Sequence, residues 1–196
     1  MPLNPTFLKL RYQTHCSWTE TVLGDFDAFL NDHAQAEKKA SGMAMSMLSH
    51  YPDRPELVKA MVDLSIEELT HFREVLKLMQ RRGLVLGKDE KDHYVNQLRH
   101  CLRREKEVYL LDRLLTAAII ESRGCERFEL IAKSAIDTDL KNFYQRICDS
   151  EKTHHLLFIT LACNYFPNSV IEQRLDQLLD IEAEIVRQLP LRPALH

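Results

Sequence analysis

Four stretches of this chain space apolar residues alternately three and four positions apart, and a glutamate interrupts each stripe near its middle. The first runs Leu30, His33, Glu37, Ala40, Ala44, Met47, and the second Leu57, Met61, Leu64, Glu68, His71, Val75, Leu78. The third is Leu110, Leu114, Ala117, Glu121, Gly124, Phe128, Ile131, and the fourth Leu140, Tyr144, Ile147, Glu151, His154, Phe158, Leu161. This spacing is the inward seam of a helix in a bundle. An ionised carboxylate on such a seam costs several kcal/mol unless it is paired or coordinates a metal. Four carboxylates on inward seams would repel one another, so the pattern demands cations among them.

The remaining features keep the fold simple. A length of 196 residues suits one domain, read here as residues 1–196, and 45% hydrophobic with 28% charged residues argues for a globular chain. Only 5 Gly and 7 Pro speak against an all-β fold, which needs frequent turns. No apolar run approaches the ~18–20 residues of a membrane span. The opening Met1-Pro-Leu-Asn-Pro lacks a basic segment followed by an apolar one, so a cytoplasmic, membrane-free protein is expected. A net charge of −3 excludes a globally basic nucleic-acid binder but leaves room for a local basic face. The 5 cysteines are scattered without a CxxC pair, which argues against zinc ribbons, thioredoxin-type and rubredoxin-type sites and for reduced, packing thiols.

Breakers divide the chain into long helices. A first is expected from about Gly24 to Ser49, ended by Tyr51-Pro-Asp-Arg-Pro. Asp53 is the expected N-cap of a second, with Pro55 in its first turn and Gly83 as its stop. A connection over 84–92 leads to a short helix at 93–103, then to helices over 104–135, 137–165 and 169–189. The fold class expected is all-α, a four-helix bundle with an additional C-terminal helix.

The second and fourth stripes add a histidine three residues after the glutamate, in Glu68-Leu-Thr-His71 and Glu151-Lys-Thr-His154, which places both side chains on one helix face. Glu-x-x-His alone is weak. A third copy, Glu90-Lys-Asp-His93, lies in a charged connection without an apolar seam and is rejected. The register carries the signal: Glu37 precedes Glu68 by 31 residues and Glu121 precedes Glu151 by 30, with the two Glu-x-x-His pairs 83 apart and the two lone glutamates 84 apart. Two helix hairpins of one design thus supply Glu37, Glu68, His71, Glu121, Glu151 and His154. This set resembles the carboxylate-bridged di-iron or di-manganese site of ferritin-like bundles. Oxygen and nitrogen donors without thiolate suit iron or manganese alike.

Other residues carry weaker signals. His33 lies one turn before Glu37, and its spacing fits a residue supporting the site as well as plain packing. His155 points about 100° away from His154 around the helix. Ala40, Gly42, Ala117, Ala118 and Gly124 leave space for oxygen and substrate or allow close helix packing. Tyr144 and the Met43, Met45, Met47 series read as packing. Arg81, Arg82, Arg99, Arg103, Arg104, Arg123 and Arg127 form anion-binding patches or solvated helix faces, the latter being the commoner case.

The stretches Asn31-Asp-His-Ala-Gln-Ala-Glu37-Lys-Lys-Ala-Ser, Glu67-Glu68-Leu-Thr-His71-Phe, Glu121-Ser-Arg-Gly-Cys-Glu-Arg-Phe128 and Glu151-Lys-Thr-His154-His155 resemble the tRNA 2-methylthio-isopentenyladenosine hydroxylase family, MiaE, over nearly the whole chain. The resemblance implies a ferritin-like non-haem di-iron monooxygenase that hydroxylates the isopentenyl group of a hypermodified adenosine beside the tRNA anticodon. It implies iron ligation by the same six residues, two Fe per chain with Mn as the alternative, O2 as co-substrate and an external electron-donating reductase system. Basic residues at Lys38-Lys39, Arg99 to Arg104, Arg123 and Arg127 are then the candidates for tRNA phosphates. Two rivals share the pattern: a ferritin- or rubrerythrin-like protein handling iron or peroxide, and a non-enzymatic bundle with an adventitious metal.

Overall fold

Asp25 accepts a hydrogen bond from the Ala28 N–H through its side chain and caps the helix expected from about Gly24, and a shorter helix that the periodicity does not suggest precedes it. The computed structural model describes residues 8–135 and 137–196, and every regular element among them is helical. In order these are α1 (Cys16–Gly24), α2 (Phe26–His50), α3 (Pro55–Arg81), α4 (His93–His100), α5 (Lys106–Ser134), α6 (Thr138–Tyr165) and α7 (Asn168–Gln188). α1 was not legible as a separate element. The other boundaries fall within a few residues of expectation, except that the short helix ends at His100.

Asp53 does not cap α3. Arg54 takes the N-cap position, though its side chain does not cap the helix, and Pro55 begins the helix. A residue preceding proline is disfavoured in helical φ and ψ, which places the cap at Arg54 in spite of its side chain. At the other end Gly83 has φ +72°, with Leu84 N–H bonded to Met79 O at 2.9 Å and Gly83 N–H to Gln80 O at 3.0 Å. That left-handed closure favours glycine and ends the helix where expected.

Contacts group the chain into two compact units. One comprises residues 20–91 with 191–195, the other the described part of 1–19 with 92–190 and His196. In the first, α2 and α3 pair along Leu30, Ala34, Ala44 and Met47 against Leu57, Met61, Leu64 and Val75, all buried. Ser41 Oγ donates to Ser65 O across this pair at 3.0 Å, a small polar contact that allows close helix approach. The connection after α3 is stapled back onto α2. Gly87 N–H donates to Asn31 Oδ1 at 2.7 Å, Gln35 Nε2 to Gly87 O at 2.9 Å, and Lys39 Nζ to Glu90 O at 2.8 Å. A Cβ at Gly87 would lie 3.0 Å from Asn31 Oδ1, so a larger residue there would press on the Asn31 amide.

In the second unit α5 and α6 pair through Leu110, Leu114, Phe128 and Ile131 with Tyr144, Ile147, Phe158 and Leu161. The Tyr144 ring packs against Phe128 and Phe143, confirming it as core. α7 lies against α4 and α5, with Tyr94, Leu98, Ile185 and Val186 forming one apolar cluster. Two buried ion networks join these helices. Arg123 Nε donates to Glu182 Oε1 at 2.8 Å, Arg123 Nη2 to Tyr12 O at 2.7 Å, and Tyr94 OH to Glu182 Oε1 at 3.1 Å. Asp112, fully buried, accepts from Arg174 Nη2 at 2.7 Å, Arg103 Nη2 at 2.6 Å and Arg103 N–H at 2.8 Å.

Candidate metal centre

All four stripes face inward: every residue named on them is buried except Ala40, Leu78 and Leu140, which are partly so. The interrupting glutamates are therefore buried by the same periodicity that buries their apolar neighbours.

In the α2–α3 unit, Glu37 comes from α2 and Glu68 and His71 from successive turns of α3. All three are buried, with one donor atom each lying within 4.8 Å of the others. His71 Nδ1 is 3.6 Å from Glu68 Oε2 and 3.8 Å from Glu37 Oε2. These separations exceed a hydrogen bond and match donors arranged around a shared cation with bonds of ~2 Å. The other oxygen of Glu37 is engaged differently. His33 Nε2 donates to Glu37 Oε1 at 2.6 Å, so the carboxylate is held at one oxygen and turned toward α3 with the other.

In the α5–α6 unit, Glu121 comes from α5 and Glu151 and His154 from successive turns of α6. All are buried, and their donor atoms again lie within 4.8 Å of one another. His154 Nδ1 donates to Glu151 Oε2 at 2.9 Å within the helix. His155 is not among the converging donors, and burial lowers its pKa below the usual imidazole value.

Each unit thus gathers two carboxylates and one imidazole in a buried space. The donor chemistry, oxygen and nitrogen without sulfur, fits a hard or borderline cation such as iron or manganese. The set is poorly suited to standing without one, since two buried carboxylates so close together raise each other's energy. Glu90 and His93 are exposed, in keeping with their rejection. Of the small residues, Ala117 and Ala118 are buried, while Gly42 is exposed and a Cβ there would meet nothing within 4 Å. Gly42 therefore serves neither space nor close packing. Met47 alone of its series is buried.

Two of the basic candidates for phosphate contact are overturned. Arg123 is 0% and Arg127 4% exposed, so neither is a solvated face nor able to reach a polyanion. Arg123 is consumed by Glu182 and Glu126, and Arg127 stacks over the Trp18 ring at 4.9 Å. Burial, aided by the nearby Arg123 charge, lowers Arg127 to a pKa of about 10. Lys38 and Lys39 are tied to Asp89. Arg103 is partly exposed but bound to Asp112. Arg99 and Arg104 remain exposed, and the guanidiniums of Arg104 and Arg113 lie 5.3 and 5.8 Å from the Tyr109 ring centroid. Among the described residues no helix is long and apolar enough to cross a membrane.

A family profile described as tRNA-(MS2IO6A)-hydroxylase (MiaE) matches residues 1–196. A Pseudomonas putida protein named tRNA 2-(methylsulfanyl)-N(6)-isopentenyladenosine(37) hydroxylase is 34% identical over 171 residues, covering 87% of this chain and 83% of that protein. A Salmonella typhimurium protein of the same name is 31% identical over 155 residues, covering 79% of this chain and 56% of that protein. Among solved structures, a Synechococcus protein with aldehyde deformylating oxygenase activity superposes with a TM-score of 0.90 at 33% identity, covering 94% of this chain and 92% of the other. The fold class expected from the four stripes, an all-α ferritin-like chain with a further C-terminal helix, stands.

Proposed function

The chain belongs to the MiaE family of tRNA hydroxylases, and from that premise we propose that it hydroxylates the isopentenyl group of 2-methylthio-N6-isopentenyladenosine beside the tRNA anticodon. The overall change converts a C–H bond to C–OH, consuming O2, two electrons and two protons and releasing water. The electrons come from an external reductase system. In this reading Glu37, Glu68, His71, Glu121, Glu151 and His154 together hold two iron ions, manganese being the alternative with the same donor preference. When bound, the metal pair supplies the oxygen-activating redox chemistry that side chains of this kind cannot.

The observation that carries the reading is the likeness of the two donor sets. Each unit presents a lone buried Glu on its first long helix and a buried Glu-x-x-His on the next. The chain's own residues set the conditions for the chemistry. The apolar turns on either side of each donor exclude bulk water and favour a prenyl group over a polar substrate. His33 keeps one oxygen of Glu37 in place, so that ligand is oriented before any metal arrives. Exposed Arg99 and Arg104 are the phosphate contacts in this reading, with Tyr109 as an adjoining aromatic surface.

The deciding experiment is mass spectrometry of modified adenosines from the tRNA of cells with and without this protein. Loss of the hydroxylated nucleoside, with accumulation of its unhydroxylated precursor, is expected. An unchanged nucleoside profile removes the proposal.

A further inference from the structure

The two long helices of the α5–α6 unit carry, besides their metal-type donors, a second pair of reactive groups. Cys125 Sγ lies 3.3 Å from Cys148 Sγ across the α5–α6 contact. The arrangement is reciprocal: each thiol points to the backbone carbonyl of the other cysteine, at 3.6 Å both ways. Cys148 is fully buried and Cys125 is partly exposed, so a small oxidant reaches the pair from the Cys125 side. The remaining cysteines sit elsewhere: Cys16 beside His15, Cys101 bonded to Gln97 O, and Cys163 near the end of α6.

We propose that Cys125 and Cys148 are a redox-active dithiol, a modification site at which hydrogen peroxide closes a disulfide between α5 and α6. The sulfurs need to approach by ~1.3 Å to reach bonding distance. That is a side-chain adjustment, and both side chains already face each other. One sulfur attacks the peroxide, taking one oxygen as sulfenic acid and releasing water; the second sulfur then displaces that oxygen as a second water. Two thiols and one hydrogen peroxide give one disulfide and two waters, and a dithiol reductant reverses the change. The protonation balance supports this route. The contact between the sulfurs raises one thiol, Cys125, and lowers the other, Cys148.

The position gives the modification a consequence. Cys125 lies one turn beyond Glu121 on α5 and Cys148 one turn before Glu151 on α6. A bridge at this level ties together the two helical turns that carry those carboxylates and limits their separation.

The test uses the full-length protein treated with hydrogen peroxide, then alkylated under denaturing conditions and mapped by mass spectrometry. Titratable thiols are expected to fall by two from the reduced value of five, with a single linked species joining the Cys125 and Cys148 peptides. Dithiothreitol should restore all five. C125S and C148S should each abolish the linked species, and the wild-type map stands even where a variant folds poorly. Sulfinic or sulfonic acids on unlinked cysteines, or disulfides spread over other pairs, overturn the proposal. The mapping needs no tRNA, so its failure is distinct from a failure of the hydroxylase reading.

Discussion

His33 and Glu37 sit one turn apart on α2, with Nε2 and Oε1 2.6 Å apart and both side chains buried. A carboxylate clamped in this way presents its second oxygen in one direction. His33→Ala frees that rotation without touching another donor. Metal affinity of the purified protein is expected to fall ~10–100-fold while helix content stays unchanged. Equilibrium metal titration alongside circular dichroism checks this. An affinity equal to wild type would reduce His33 to packing.

Glu68→Ala and His154→Ala each remove one donor from one unit. Both variants are expected to lose metal and hydroxylation together, whereas a purely structural glutamate would give a folding defect with metal content intact. Metal analysis after anaerobic reconstitution, paired with single-turnover product analysis, separates these cases. Full loading and turnover in either variant would falsify the ligand assignment.

Asp112 offers a pH-dependent stability test. Burial by itself would raise its pKa, but the hydrogen bonds from Arg103 and Arg174 outweigh burial and hold it below the usual carboxylate value. A carboxyl depressed in the folded state stabilises the fold above its unfolded pKa of ~3.9, and that contribution disappears as pH falls through the folded value. Asp112→Asn leaves Arg174 buried without its counter-charge, at a cost of ~3–5 kcal/mol near neutrality. Denaturation curves should show the gap between wild type and variant shrinking below pH ~4. A gap independent of pH would show that the charge itself contributes nothing.

Glu182→Ala should be as damaging as any apolar core truncation. It strips the buried Arg123 of its principal partner and Tyr94 OH of its acceptor. A loss of ~3–5 kcal/mol is expected. Arg123→Met combined with Glu182→Leu should recover much of it, because the desolvated charge leaves with its partner. A double-mutant cycle by urea denaturation measures the coupling.

Arg99→Glu with Arg104→Glu tests the exposed basic surface. Binding of tRNA should weaken and its dependence on salt should flatten, with KM raised more than kcat is lowered. Assays at two ionic strengths suffice. Unchanged KM at both would move the tRNA contacts elsewhere on the protein.

The helices and the inward glutamates were legible because both follow from spacing within ten or so residues. Glu68 and His71 share a face by helix geometry alone, whatever surrounds them. Asp53 shows where local chemistry misleads: a good capping side chain lost to the backbone restriction that Pro55 places on Arg54. Arg123 shows the greater limit. Between Glu121 and Cys125 in sequence, it reads as an ordinary exposed charge, and nothing within α5 distinguishes it from Arg99.

What the linear order of residues determined, then, is periodic: seven-residue rhythms and the carboxylates set into them. What only the folded chain decided is pairing across distance. Glu182, 59 residues on, makes Arg123 an interior residue. Cys148, 23 residues from Cys125, makes a pair of two scattered thiols. Periodicity is a property of one helix and survives in its sequence. The energy of a buried charge or a thiol contact depends on a partner from another helix, which comes within reach only when the helices pack.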